Sequence, residues 1–215
     1  MSILITGANR GIGAELLHRY HAADRPAQGT ARDATDDLLP LDVTDPTSIN
    51  ALAQRLDGDR MDLLVCNAGV YLDKRQNLAN GFAPDLWAQT FAVNVTGVFL
   101  TIQALLPHLQ CSKAPKIAII SSQMASSERA SGGSYIYRAS KAAALNLGRN
   151  LATDLHDLGI AVGIYHPGWV QTDMGGDRAT TTPQQSATGL IQRFDALSLD
   201  TTGCFETFDG HPHPY

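Results

Sequence analysis

The sequence predicts an α/β fold in which helices cover both faces of a mostly parallel, seven-stranded sheet. Short apolar runs alternate along the chain with longer segments of helical spacing. The runs are apolar at consecutive positions, which is typical of strands buried on both faces of a parallel sheet. Because crossovers between parallel strands are right-handed, the alternation predicts a doubly wound sheet. No repeat or linker interrupts the pattern, so we expect one domain over residues 1–215.

The predicted elements follow from these runs. The strands are expected at 3–5, 28–31, 38–41, 62–66, 116–120, 160–165 and 204–208. The helices are expected at 11–21, 46–56, 85–109, 137–158 and 183–194. Asp45 before Pro46 is typical of an N-cap with proline in the first turn, and Gly159 predicts a helix end. The loop-rich segment 168–183 is the best candidate for a mobile lid.

Composition narrows the function classes. The formal net charge is −5 and no basic run of five or more residues occurs, so we expect neither a nucleic-acid nor a membrane partner. No stretch approaches about 18 consecutive apolar residues. Cys66, Cys111 and Cys204 are widely spaced and form no CxxC pair, which predicts reduced thiols and no metal site. With no secretory signal pattern at the start, we expect a cytoplasmic protein.

A glycine-rich turn follows the first predicted strand. Residues 6–13 read Thr-Gly-Ala-Asn-Arg-Gly-Ile-Gly and open the first helix. Glycines permit positive φ and let backbone N–H groups approach a pyrophosphate, while the helix N-terminus supplies partial positive charge. A structural turn without a ligand is the alternative. The predicted cofactor contacts in this turn are Gly7, Asn9, Arg10, Gly11, Ile12 and Gly13.

Two arginines favour NADP(H) over NAD(H). Arg10 lies inside the turn, and Arg32 follows the second predicted strand, where an acidic residue would bind the ribose hydroxyls of NAD. A guanidinium there can instead hold the 2′-phosphate of NADP. Asp33 is adjacent and would favour NAD, and the alternative is that both arginines are solvated surface residues.

Tyr137 and Lys141 are the candidate acid–base pair. Their spacing of four residues puts both on one face of a helix. The ordinary pKa of tyrosine is about 10, and we expect the nearby ammonium to lower it towards neutrality. Tyr137 would then protonate a carbonyl oxygen while hydride reaches the carbon. Tyr135 is a competitor, but the residue four positions on is the uncharged Ala139.

In combination, these motifs resemble the short-chain dehydrogenase/reductase family over essentially the whole chain. The ordered features are residues 6–13, Cys66-Asn67-Ala68-Gly69, Asn94, Ser121-Ser122, Tyr137-x-x-x-Lys141 and Pro167-Gly168. The segments Ser-Tyr-Ile-Tyr-Arg-Ala-Ser-Lys and His-Pro-Gly-Trp-Val-Gln-Thr-Asp-Met-Gly-Gly look like the carbonyl-reductase-like branch, which includes sniffer-type and bacterial C-signal-like proteins. The resemblance implies a Rossmann-like fold.

The resemblance also implies roles by position. Ser122 would hold the substrate oxygen, with Ser121 as the other candidate, and Asn94 would fix a water behind Lys141. Tyr137 and Lys141 are expected to contact the cofactor as well, with Lys141 bonding its ribose. The remaining cofactor contacts would come from Asp42 with Val43 at the adenine, from Asn67, Ala68 and Gly69 at the adenosine ribose, and from Pro167, Gly168, Val170 and Thr172 at the nicotinamide and phosphates.

Structural alternatives stand beside these roles. Asn94 could cap or kink its helix, and the two serines could be ordinary strand-end residues. His166 is expected to be structural. Cys66 replaces an asparagine that is frequent in the family motif, and the gap from Ser122 to Tyr137 is longer than usual.

The sequence therefore predicts an NADP(H)-dependent oxidoreductase that interconverts a small-molecule carbonyl and an alcohol. From the resemblance we expect a homodimer or homotetramer. The alternative is an NAD(P)-binding signalling or sensor protein of C-signal type with little turnover.

Overall fold

The computed structural model describes residues 2–33 and 37–215. Its strands form one sheet in the order β3-β2-β1-β4-β5-β6-β7, and every strand pairing is parallel. The predicted doubly wound sheet is confirmed, with strand boundaries shifted by at most one residue. The strands are β1 (Ile3–Ile5), β2 (Ala27–Ala31), β3 (Leu38–Pro40), β4 (Leu63–Cys66), β5 (Lys116–Ile120), β6 (Ala161–His166) and β7 (Phe205–Thr207).

Helices cover both faces of this sheet. They are α1 (Gly11–Ala22), α2 (Pro46–Arg55), α3 (Pro84–Phe91), α4 (Gly97–Gln110), α5 (Tyr135–Asp154) and α6 (Pro183–Ala196). One apolar cluster joins alternate strand residues to α2, α4 and α5, and a second joins the intervening strand residues to α1 and α6. Leu64 lies in the first cluster, whereas Leu63 and Val65 lie in the second. The alternation of side chains along each strand therefore places one core on each face.

The segment predicted as one helix over 85–109 is divided by a π-helical turn. Ala92–Thr96 lies between α3 and α4 and has Asn94 at its centre. Inserted residues of this kind frequently occur at functional sites. The continuous helical path Pro84–Gln110 is long and apolar enough, by length and composition alone, to cross a membrane. Val98, Ile102 and Leu105 of this path are buried in the first apolar cluster, as in a core helix.

The helix ends agree with the local sequence signals. The Asp45 carboxylate accepts a hydrogen bond of 2.8 Å from the Thr47 N–H, as an N-cap should. Helix α5 begins at Tyr135, two residues earlier than predicted, and is followed by a 3₁₀ turn at His156–Leu158. Gly159 then ends the helical path with φ +73°.

Candidate active site

The segments after β1, β4, β5 and β6 leave neighbouring strands at the carboxyl edge of the sheet. Thr6 follows β1, Asn67 follows β4, Ser121 follows β5 and Pro167 follows β6. Because the strands are parallel and neighbouring, these segments lie along one edge, where doubly wound sheets bind their ligands. Helix α5 places Tyr137 and Lys141 against the same edge.

The glycine-rich turn is shaped by close contacts that only glycine permits. Gly7 has φ +66°, and a Cβ there would lie 2.9 Å from the Cα of Ala68. A Cβ on Gly13 would lie 2.3 Å from the Gly7 carbonyl oxygen. The first turn of α1 therefore packs against the glycine turn too closely for a residue with a Cβ atom at Gly7 or Gly13.

Thr6 and Asn67 fasten this turn to β4. The Thr6 hydroxyl accepts hydrogen bonds of 3.0 Å from the N–H groups of Asn67 and Ala68. The Asn67 side-chain amide donates to the carbonyls of Thr6 and Gly7, at 2.9 and 3.0 Å. Asn67 and Ala68 thus hold the glycine turn against the end of β4.

The start of α1 suits an anion. The helix begins at Gly11 and has no acidic residue in its first turn, so its first N–H groups and its dipole present positive charge. Thr172 lies beside the turn, since a Cβ on Gly11 would be 3.3 Å from its methyl carbon. Arg10 forms a 2.7 Å ion pair with Asp173, and both side chains are largely exposed. Arg10 therefore links the turn to the segment after β6.

The adenosine end of the site is more open. Arg32 is exposed on the loop after β2. Hydrogen bonds from the Thr44 hydroxyl and N–H, together with the Arg32 charge, hold the pKa of Asp42 below its usual value. Val43 is buried and packs against Gly97, so it supports the position of Asp42.

Tyr137 is buried at the centre of the edge, with 7% of its surface exposed. Its ring stacks on the ring of Tyr71, with centroids 4.2 Å apart, and its hydroxyl is hydrogen bonded to Ser122. Burial raises the pKa of the Tyr137 phenol well above its ordinary value, although the Ser122 bond lowers it. The expected fall towards neutrality is therefore wrong for this arrangement, because loss of water around the phenolate dominates.

The two serines after β5 have different partners. The Ser121 hydroxyl donates a 3.0 Å bond to the carbonyl of Lys141 and is turned into the protein. Ser122 bonds Tyr137 and accepts from the Met124 N–H at 3.1 Å. Of the two candidate substrate-binding serines, Ser122 is therefore the one that interacts with the Tyr137 hydroxyl.

Lys141 is buried, with its ammonium nitrogen 5.7 Å from the centre of the Tyr137 ring. It donates a 2.9 Å hydrogen bond to the carbonyl of Ile120, the last residue of β5. Burial lowers the pKa of Lys141 to about 8. The helical spacing therefore does bring the two predicted residues together, and Lys141 also ties α5 to the sheet.

Asn94 is buried in the π-helical turn, and its side-chain amide forms hydrogen bonds with the segment after β4 and with α5. It accepts from the Val70 N–H and donates to the Val70 carbonyl, both at 2.9 Å, and donates to the Ser140 hydroxyl at 3.0 Å. A Cβ on Gly69 would lie 3.4 Å from the Asn94 oxygen and 3.5 Å from the Lys141 nitrogen. Asn94 and Lys141 therefore both lie next to Gly69, and the hydrogen bonds of Asn94 show a structural role.

The predicted lid, residues 168–183, is internally bonded. Val170 is buried and forms a bridge with Thr181, and the Trp169 indole donates to the Gly175 carbonyl at 2.9 Å. Before it, the Pro167 carbonyl accepts a 2.6 Å bond from the buried Ser186 hydroxyl, and Gly168 has φ +89°. These contacts give the segment after β6 a fixed shape, and Thr172 is the residue of this segment that lies against the glycine turn.

His166 lies at the end of β6, where burial lowers its pKa to about 4. Its ring lies 6.0 Å from that of His213 in the C-terminal segment. A buried neutral imidazole packed on another ring agrees with the structural role expected for it. Within residues 2–33 and 37–215, no group of three potential His, Cys, Asp or Glu ligands is arranged to hold a metal.

Sequence reasoning missed two residues at this site, Tyr71 and Asp73. Tyr71 contacts the ring of Tyr137, and the buried Asp73 carboxylate accepts bonds from the backbone at the start of α5. Their only signal was their position after Asn67-Ala68-Gly69, because a buried carboxylate and an exposed one look alike in a sequence.

Two known proteins resemble the chain over different shares of its length. A 1-hydroxy-2-glutathionyl-2-methyl-3-butene dehydrogenase of Rhodococcus sp. (strain AD45) is 34% identical, with 97% of each chain covered. C-signal of Myxococcus xanthus is 37% identical over 60% of this chain and 78% of its own length.

Solved structures with the same fold include carbonyl reductases, the branch that the sequence motifs resemble. NADPH-bound carbonyl reductase from chicken fatty liver superposes with a TM-score of 0.89 at 30% identity, covering 100% of this chain and 98% of its own. Carbonyl reductase Sniffer of D. melanogaster gives a TM-score of 0.92 at 26% identity, covering 100% and 99%. The sequence model of the family described as short chain dehydrogenase matches residues 1–183. The ordered motifs, the parallel sheet and these likenesses together show that the chain belongs to the short-chain dehydrogenase/reductase family of oxidoreductases.

Proposed function

We propose that this oxidoreductase uses NADP(H) to interconvert a carbonyl and an alcohol, with Tyr137 as the acid–base group. The observation that carries the proposal is the arrangement at the carboxyl edge of the sheet, where Tyr137, Ser122 and Lys141 are buried together and the Lys141 nitrogen lies 5.7 Å from the centre of the Tyr137 ring. Two adjacent hydroxyls can both donate to one substrate oxygen, which is what a carbonyl needs as negative charge develops on it.

The residues at the glycine turn fit a nicotinamide dinucleotide. The close approach at Gly7 and Gly13, and a helix start free of acidic residues, suit a pyrophosphate. A bound nicotinamide would supply or accept the hydride. Asn9 and Ile12 belong to the turn, and the segment from Pro167 to Thr172 would hold the nicotinamide end.

The proton chemistry follows from burial. Because its pKa is raised, the Tyr137 phenol stays protonated at neutral pH and can give its proton to the carbonyl oxygen. Ser122 would hold that oxygen. Lys141, with a pKa lowered to about 8, remains mainly charged at neutral pH and would stabilise the phenolate as it forms.

The preference for NADP(H) rests on Arg10 and Arg32. Guanidinium groups bind phosphate through charge-assisted bonds, and both side chains are exposed near the ends of β1 and β2. The NADPH bound to the chicken enzyme supports the same choice. Asp173 already pairs with Arg10, so we assign the larger share of 2′-phosphate binding to Arg32.

The substrate would be a small molecule, and reactions in both directions are represented among the relatives. The Rhodococcus relative is a dehydrogenase named for a hydroxy compound, whereas the chicken enzyme is a carbonyl reductase. We further propose a cytoplasmic homodimer or homotetramer, the form that the sequence resemblance implies.

The test is NADPH oxidation against a panel of ketones, aldehydes and quinones, repeated with NADH. We expect turnover that falls by about 10²–10⁴-fold in Tyr137→Phe, because that variant keeps the ring but loses the transferable proton. NADPH affinity should be retained. The exposed Tyr135→Phe is the matched control and should keep its rate. Equal rates in wild type and Tyr137→Phe would contradict the proposal.

The second candidate is a binding or signalling protein with little turnover, favoured by the similarity to C-signal. Such a protein needs the glycine turn but no acid–base group. Tight NADPH binding that Tyr137→Phe leaves unchanged, with no turnover on the whole panel, would favour this candidate over the enzyme.

A further inference from the structure

Helix α5, which holds Tyr137 and Lys141, begins without a local cap. Its N-cap residue Ser134 has φ +49° and its side chain makes no bond to the helix N–H groups. The longer loop before it, with positive φ at Gly132 and Gly133, does not end in an extended capping residue. The first turn of the helix must therefore be held from elsewhere.

Asp73 supplies this cap from the segment after β4. Its carboxylate accepts 2.8 Å from the Ile136 N–H and 3.3 Å from the Tyr137 N–H, across 63 and 64 residues of chain. Only 1% of its surface is exposed. An ionised carboxylate at a helix start interacts favourably with the helix dipole, and here it bonds the backbone of Tyr137 itself.

Tyr71, two residues earlier, holds the side chain of Tyr137. The two rings are nearly parallel, with 23° between their planes and centroids 4.2 Å apart. The Tyr71 hydroxyl is also hydrogen bonded to the Ser134 hydroxyl. One short segment thus contacts the ring of Tyr137, its backbone N–H and the residue before the helix.

We propose that Asp73 and Tyr71 are positioning residues that fix the depth and angle at which the Tyr137 hydroxyl meets Ser122. Asp73 sets the backbone of the first helical turn, and Tyr71 sets the plane of the ring. The inference rests on the proposed function, because it assigns Tyr137 a reaction that requires accurate placement.

Asp73 has an electrostatic effect as well as a geometric one. The groups that face Tyr137 are Lys141 on α5, Tyr71 and Asp73 after β4, and Ser122 after β5. In addition to burial, the negative charge of the Asp73 carboxylate raises the pKa of Tyr137 further. Removing the Asp73 charge should therefore lower the pKa of Tyr137, which a purely structural cap would not do.

The first test is Asp73→Asn, with Asp45→Asn as the matched control. Both changes convert a capping carboxylate to an amide, but Asp45 caps α2 on the exposed surface. We expect Asp73→Asn to lower kcat by about 10–10²-fold while NADPH affinity is retained, since misplacement by about 1 Å can cost about that much. Tyrosinate absorbance, taken as the difference from the same protein with Tyr137→Phe, should show Tyr137 ionising at lower pH. Asp45→Asn should match wild type in both measurements.

Tyr71 provides a second pair of variants. Tyr71→Ala removes the stacked ring, and Tyr71→Phe keeps the ring but loses the bond to Ser134. We expect a larger loss of kcat in Tyr71→Ala than in Tyr71→Phe, with NADPH affinity retained in both. Should Asp73→Asn fail to fold, this pair decides the inference: equal, wild-type rates in both variants would overturn it.

The outcomes separate the inference from the proposed function. A folded Asp73→Asn protein with wild-type kcat and an unshifted Tyr137 titration overturns the positioning role of Asp73, while the proposed oxidoreductase function stands. Absence of turnover in wild type refutes the proposed function instead. The Tyr137 titration then still decides whether Asp73 acts on Tyr137, because that measurement needs no substrate.

Discussion

The two ends of the candidate site are built differently. At the Tyr137 end, the buried side chains bond one another and the backbone of α5 and β5. At the adenosine end, Arg32 is exposed and Arg10 forms an exposed ion pair with Asp173. A surface ion pair contributes about 0–1 kcal/mol, whereas a buried polar group left without its partner costs several times more.

This difference indicates how each end would tolerate change. The buried end is fixed in advance, which suits chemistry that needs accurate placement. The open end can exchange one charged side chain for another without disturbing the core, so cofactor preference can vary within one fold. Mutations should therefore alter rate at one end and cofactor affinity at the other.

The largest effect that would sharpen this contrast is expected at the two serines. Ser122→Ala should lower kcat by about 10²–10³-fold, because it removes a donor to the substrate oxygen. Ser121→Ala is the matched control, since its hydroxyl bonds the Lys141 carbonyl, and it should chiefly lower thermal stability. Steady-state kinetics and thermal unfolding of both variants check this. A greater rate loss in Ser121→Ala would reverse the assignment.

An intermediate effect is expected at the open end. Arg32→Ala should weaken NADPH binding by about 10–100-fold and leave NADH binding unchanged, because charge-assisted bonds to a phosphate contribute about 1.5–3 kcal/mol. Fluorescence titration with both cofactors measures this directly. The exposed Arg55→Ala on α2 is the control and should bind both as wild type does. Equal weakening for NADPH and NADH would contradict the 2′-phosphate assignment.

The smallest effect concerns stability at the buried end. The pKa of Lys141 is lowered to about 8, so the folded protein releases this proton while the unfolded chain keeps it up to about pH 10.4. Since the unfolded state then binds more protons, the free energy of unfolding should gain up to about 2 kcal/mol from this residue between about pH 8 and 9.5. Below about pH 8 this gain is absent.

Chemical denaturation of wild type and Lys141→Met across that pH range tests this contribution. The slope of stability against pH should be smaller in Lys141→Met, while the exposed Lys113→Met should keep the wild-type slope. Identical slopes in all three proteins would show that Lys141 does not release its proton in this range.

Much of the fold was predictable because it depends on patterns with a fixed period. Apolar runs such as 63–66 identified strands, and the helical spacing of Tyr137 and Lys141 placed both on one face. The π-helical turn at Asn94 was not predicted, since an inserted residue leaves the apolar pattern of the helix nearly unchanged.

By itself, the sequence determined the order of strands and helices along the chain, the glycine turn and the pairing of Tyr137 with Lys141 on one helix face, because these follow from local spacing. The tertiary structure alone decided that Ser122 rather than Ser121 bonds Tyr137, that Asp73 caps α5 and that Tyr71 stacks on Tyr137. It also decided that the pKa of Tyr137 is raised by burial rather than lowered by Lys141. These contacts join residues far apart in the chain, and the balance between burial and charge depends on how closely the folded elements exclude water.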